Sequence, residues 1–230
     1  MSAAGGAISL LLGAVLLRLS VTDDYQRYVR AGLGPYLVLA GIIVVALGLV
    51  TLVQALRDEP LADDLDEDHG HGGIGVGWLL LAPIAALLLV APPTLGSYGV
   101  DRGATVDVRA GAPVFDPLVQ GGAPVALSLF EFGQRTFDHG GASFNGVPVQ
   151  LTGFVAGADS DGFRLARYQI ACCAADAAPV VVDVVGTAGE RPARDQWVRV
   201  IGRFRRPAGD VPVLAATSVA EIDAPVDPYE

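Results

Sequence analysis

The chain of 230 residues contains no lysine: all fifteen of its basic residues are arginine. Against twenty-five acids this leaves a net charge of −10. A surface of that sign excludes nucleic acid as a partner, because phosphate binding needs a basic face. Only two cysteines are present, Cys172 and Cys173, and they are adjacent. Two cysteines cannot build a disulfide framework. They also lack the Cys-x-x-Cys spacing and βαβ setting of a thioredoxin-like enzyme. No phosphate-cradling glycine loop, no Ser-His-Asp set and no HExxH helix is present, so no enzymatic activity is expected.

What the chain has in quantity is long apolar runs near its start. They cover Ala3 to Leu19, Tyr36 to Leu56 and Ile74 to Ala91. Each is about the length needed to cross some 30 Å of hydrocarbon as a helix. None carries an interior charge, and Arg18 lies at the end of its run, where it can snorkel. No basic residue precedes the first run, as a cleaved signal peptide would require. Three membrane helices in a region spanning 1–91 are therefore expected, in a multi-pass protein of the cell membrane. Arg18, Arg27, Arg30, Arg102 and Arg109 fall on one side of these spans, and only Arg57 on the other. The positive-inside rule then puts the C-terminal domain in the cytoplasm.

The loop 57–73 is acidic and holds His69 and His71. As a solvated tether its charges repel and extend it. As a ligand set, its imidazoles and carboxylates are both metal-binding types.

From 147 onward the apolar period changes to two. The segments "VPVQLTGFVA", "GFRLARYQIACC", "PVVVDVVG", "QWVRVIGRFRR" and "VPVLAATSVAEI" each read as a strand. The predicted inward residues are Val149, Leu151 and Val155, then Val180, Val182 and Val184, then Val198, Val200 and Phe204. In the second segment the phase switches between Leu165 and Tyr168, which predicts a bulge near Ala166–Arg167. Five short strands with Gly-rich turns predict a mostly β soluble domain over 147–230, an OB-like small barrel. Residues 92–146 read as a linker with a short helix in "VALSLFEFGQRTFD". On the fourth strand Trp197, Arg199, Arg203 and Arg205 share a face, as they would on a single-strand nucleic-acid platform. The acidic domain favours a solvated face paired with Asp183, Glu190 and Asp195.

Arg167 and Tyr168, the block Cys172 to Ala177, the strand Trp197 to Gly202 and the closing "PYE" together resemble the YcgQ-like family of permease subunits, whose function is uncharacterised. The resemblance runs over nearly the whole chain, and the cysteine block is its specific part. Histidines before the third span are also similar to the family. It implies a non-enzymatic accessory subunit in the lipid bilayer beside a larger polytopic permease, with a link to metal-ion handling. The alternative is a membrane-tethered thiol protein acting as a redox sensor or metal chaperone.

If the strand continues, alternation places Cys172 inward with Tyr168 and Ile170 and turns Cys173 outward; if it ends at Cys172, the turn into "AADAA" brings both thiols to the helix N-terminus, where free N–H groups favour thiolates. Four roles stay open. They are a buried apolar pair, a soft-metal site for zinc or copper with Asp176 or His139 as further ligands, a redox-sensing pair, and a vicinal disulfide.

Overall fold

The computed structural model describes residues 3–57, 94–103, 105–109, 114–159, 161–187 and 192–230. These form two compact units. One holds the described residues to 26 and from 31 to 57; the other holds 27–30 and those from 94 to 230.

The first unit is a pair of helices, α1 (Ala3–Val21) and α2 (Gly34–Arg57). Glycine lets them approach closely. A Cβ on Gly6 would lie 2.9 Å from the backbone nitrogen of Leu52, and one on Gly48 would lie 3.0 Å from that of Leu10. Small residues at such a seam replace side-chain interdigitation with backbone contact. Away from the seam α2 exposes Leu39, Ile42, Ile43 and Leu47. Among the described residues one helix, Ala31–Arg57, is long and apolar enough to cross a membrane, a property shared by spans and signal sequences. Gly5–Val21 is a shorter apolar helix. The expected third span, 74–91, and the loop with His69 and His71 lie outside the described residues.

The second unit is mostly β. A short helix α3 (Ser97–Val100) precedes β1 (Val125–Ala126) and α4 (Leu129–Phe137). Then come β2 (Val149–Asp159), β3 (Gly162–Gln169), β4 (Ala178–Val185), β5 (Trp197–Arg205) and β6 (Val213–Ile222). They form one six-stranded sheet in the order β1-β2-β3-β4-β6-β5, and β2 also pairs with β5. β4 and β6 run parallel; β2–β3, β3–β4, β5–β6 and β2–β5 are antiparallel. The inner core takes alternate residues of every long strand, among them Val149, Leu151, Leu165, Val182, Val198 and Leu214. α4 adds Leu129 and Phe132 to it, both fully buried. Ser128 caps α4, its side chain accepting the N–H of Glu131, and Arg135 closes an i,i+4 ion pair with Glu131.

β3 departs from the sequence expectation. It pairs with β4 without a break from Gly162↔Val185 to Gln169↔Ala178, so there is no bulge at Ala166–Arg167. The irregularity with β2 lies between Val155 and Gly157. The apolar phase switches because β3 is covered on both faces. Phe163 and Leu165 face the inner core. Ala166, Tyr168 and Ile170 enter a second cluster with Phe154, Trp197, Val100 and Tyr229. Phe204, expected inward on β5, is only partly buried and stacks on Phe144 at 4.7 Å.

Candidate metal centre

β3 ends at Gln169, and the chain turns sharply after Ile170. The carboxylate of Asp176 makes the turn. Its Oδ1 accepts the N–H of Ala171 at 2.9 Å, and its Oδ2 accepts those of Cys172 at 2.8 Å and Cys173 at 3.4 Å. Three successive amides therefore converge on one side chain. Cys173 caps the 3₁₀ turn Ala174–Asp176, its sulfur accepting the N–H of Asp176. Backbone links fix the turn from both sides. Arg30 N–H donates to the Cys172 carbonyl at 3.1 Å, and Ala174 N–H donates to that of Tyr28 at 2.7 Å. Ile170 N–H donates to the Glu230 carbonyl at 3.2 Å.

The two sulfurs consequently lie on the same side of the chain, 3.6 Å apart. One ligand atom from each of Cys172, Cys173 and Asp176 lies within 4.8 Å of the others, and this is the one such group among the described residues. The pair is not oriented as strand alternation predicts: Cys172 is exposed and Cys173 is half-buried. Alternation fails because the strand has already ended and Asp176 sets the backbone direction instead.

Charge couples the three groups. The hydrogen bond to Asp176 chiefly pushes the Cys172 thiol up to about 11, with Cys173 adding to it. The same Cys172 thiol holds the Asp176 carboxyl down at about 2, helped by the Cys172 amide and opposed by desolvation. The thiol has two acceptors, the carboxylate and the second sulfur. A carboxylate is the stronger acceptor, as the direction of both shifts requires.

The other residues singled out in the sequence do not join this site. Arg167 donates to the carbonyls of Asp227, Pro228 and Tyr229 at 2.8–3.3 Å, and its guanidinium lies 5.8 Å from the Trp197 ring. Tyr168 donates its hydroxyl to the Gly96 carbonyl and stacks on Phe154, which meets Trp197 edge-on at 5.7 Å. Burial, the leading cause, raises the Tyr168 hydroxyl above its ordinary value. Trp197 is 7% exposed, so it is a core residue and no stacking platform. His139 sits in a left-handed turn beside Asp138, apart from the cysteine group. Asp195, expected opposite the β5 arginines, accepts the Ser97 N–H at 2.6 Å, and Asp183 lies 4.0 Å from Arg164.

Sequence reasoning missed Glu230. Its carboxylate accepts the N–H groups of Leu129 at 2.8 Å and Phe130 at 3.1 Å, capping α4 from a hundred residues away. Tyr229 is buried and donates to the Arg27 carbonyl at 2.7 Å. Arg167, Tyr168, Trp197 and the "PYE" segment are thus one structural assembly holding the chain's last residues against β3. The resemblance that grouped "PYE" with these residues was the available signal.

Residues 134–230 match the family model described as the DUF1980 C-terminal domain. The strand assembly from β2 to β6, the cysteine turn and the "PYE" segment all lie inside this match. The part of the chain that is similar to this model is thus the part that holds the candidate site. No curated protein matches the chain.

Proposed function

We propose that the chain is a membrane-anchored, non-enzymatic accessory subunit of a larger polytopic permease, of the YcgQ-like kind, and that its C-terminal domain handles a thiophilic metal ion, zinc or copper. One observation carries the metal reading: two sulfurs 3.6 Å apart beside a carboxylate, at the surface, on a turn built by that carboxylate. Two thiolates with a carboxylate suit borderline and soft cations. The apolar, outward-facing side chains of α2 support the anchoring. Three spans within 1–91 and a cytoplasmic C-terminal domain belong to the same proposal, on the apolar runs and the arginine distribution. So does an OB-like barrel over 147–230. It is supported by pairings that run from β2 through β3, β4, β6 and β5 back to β2.

The test is purification of the tagged full chain from native membranes in mild detergent, with identification of co-purifying proteins and bound metals. A polytopic permease together with zinc or copper is the expected outcome. A lone chain without metal would overturn the proposal. The closeness of the sulfurs favours a second reading, a membrane-tethered redox sensor. In that case oxidant would abolish thiol labelling in cells while metal content stayed at background.

A further inference from the structure

We propose that the ion suited to Cys172, Cys173 and Asp176 is a divalent tetrahedral cation, zinc being the biological case, held by three protein donors with its fourth position open to a ligand from another molecule. This rests on the metal reading above and narrows it. The bite of the pair decides the geometry. With metal–sulfur bonds of about 2.3 Å, the sulfur separation of 3.6 Å gives a sulfur–metal–sulfur angle of about 103°, close to tetrahedral. A linear two-coordinate ion, such as copper(I) bound by two thiolates, would separate the sulfurs by about 4.6 Å at the same bond length. In the observed arrangement the sulfurs, 3.6 Å apart, suit the tetrahedral ion and are about 1 Å too close for the linear one.

Among the described residues three donors converge, which leaves the fourth position for a further ligand. Structural zinc sites close with four protein ligands, whereas sites that exchange or activate a ligand keep three. The third donor here is Asp176, whose two oxygens offer about four lone-pair sites. Three of them take the amides of Ala171, Cys172 and Cys173. The remaining one is left for a cation, within 4.8 Å of both sulfurs. The amides orient the carboxylate as outer-shell partners orient metal ligands. Binding forms two metal–sulfur bonds and one metal–oxygen bond and releases two thiol protons to solvent; no electron is transferred.

The protein's own hydrogen bonds hold the turn. Hydrogen bonds from Arg30, Ala174 and Ile170 hold it to segment 27–30 and to Glu230. A site so preformed does not need metal to fold, unlike small zinc domains. With Cys172 at the surface, it can load and unload, which is what an accessory protein passing an ion requires.

The experiment uses the full chain in detergent, reduced and stripped with chelator, titrated in parallel with cobalt(II), zinc and copper(I). The expected result is one cobalt(II) per chain with the strong ligand-field bands of tetrahedral coordination and a thiolate charge-transfer band, displaced by one equivalent of zinc. Added imidazole should shift the ligand-field bands, since it can enter the fourth position. C172S and C173S should each weaken binding by about tenfold or more and reduce the charge-transfer band. D176N should weaken binding but keep that band. The apo chain should show unchanged circular dichroism. Octahedral cobalt bands, or tetrahedral bands indifferent to imidazole, would overturn the inference. Copper(I) binding without cobalt or zinc binding would overturn it and leave the soft-metal reading intact. Binding of none of the three would overturn both.

Discussion

Removing the Asp176 carboxylate should make Cys172 more reactive, by an amount that can be worked out. Asp176 is the largest cause of the rise in the Cys172 thiol from its ordinary 9.0 to about 11. At pH 7 that rise cuts the thiolate fraction from about one in a hundred to about one in ten thousand. A more basic thiolate is also a better nucleophile, with a Brønsted slope of about 0.4–0.5, which returns roughly tenfold. Asp176→Asn should therefore raise the alkylation rate of Cys172 at pH 7 by up to about tenfold, Cys173 and desolvation accounting for the rest of the rise. The two cysteines share one peptide, so the comparison is C173S against C173S/D176N, followed with iodoacetamide by intact mass from pH 6 to pH 11. The rate for C173S should still be climbing at pH 10, while that for the double variant should level off near pH 9. Equal rates at pH 7 with coincident profiles would refute the argument. It would show that the carboxylate and thiol do not interact in solution.

Acid stability should carry two opposite signatures. The Asp176 carboxyl is held down at about 2 from 3.8, so its contribution is complete above pH 3.8 and lost as pH falls through 2; D176N should flatten this limb in denaturant melts. Burial raises the Glu230 carboxyl, outweighing the two amides on it. Its protonation thus favours folding in acid, and this contribution is lost as pH rises through the raised value; E230Q should remove it. Glu230→Ala should cost about 0.5–2 kcal/mol by uncapping α4, read as a lower denaturation midpoint. Trp197→Ala, at a buried aromatic contact, should cost about 3–5 kcal/mol and leave little folded domain at physiological temperature. Gly48→Leu should destabilise the α1–α2 pair by about 1–3 kcal/mol, seen as a lower melt in detergent, while Ile42→Leu on an exposed position should not change it.

The strands could be read from the sequence because their inward faces obey one period. Val149 and Leu151, the alternating valines of β4, and Val198 and Val200 on β5 all mark the inner core. β3 could not be read the same way. Its second face is buried by α3 and by the last residues, and the Tyr168 hydroxyl meets a carbonyl 72 residues away. A local pattern carries no information about such a partner, so two-sided burial looked like a bulge. The cysteine site was legible in membership, since three ligand residues within five positions stand out, while its orientation turned on where the strand ends. Alternation holds only while a ladder lasts, and here a carboxylate that gathers three amides replaced the ladder. The cap on α4 was invisible for the same reason as the covering of β3: its partner is remote in sequence.

That remote cap bears on how the domain is made. The amides of Leu129 and Phe130 are synthesised a hundred residues before the side chain that satisfies them. At about 5–20 residues per second the ribosome takes some 5–20 s to reach Glu230. During this interval α4 lacks its cap, and β3 lacks the cover that Tyr229 provides. The start of α4 and the outer cover of β3 are therefore completed last, whatever has folded before them. One segment, "PYE", thus finishes three things at once: the start of α4, the second core cluster and the cysteine turn.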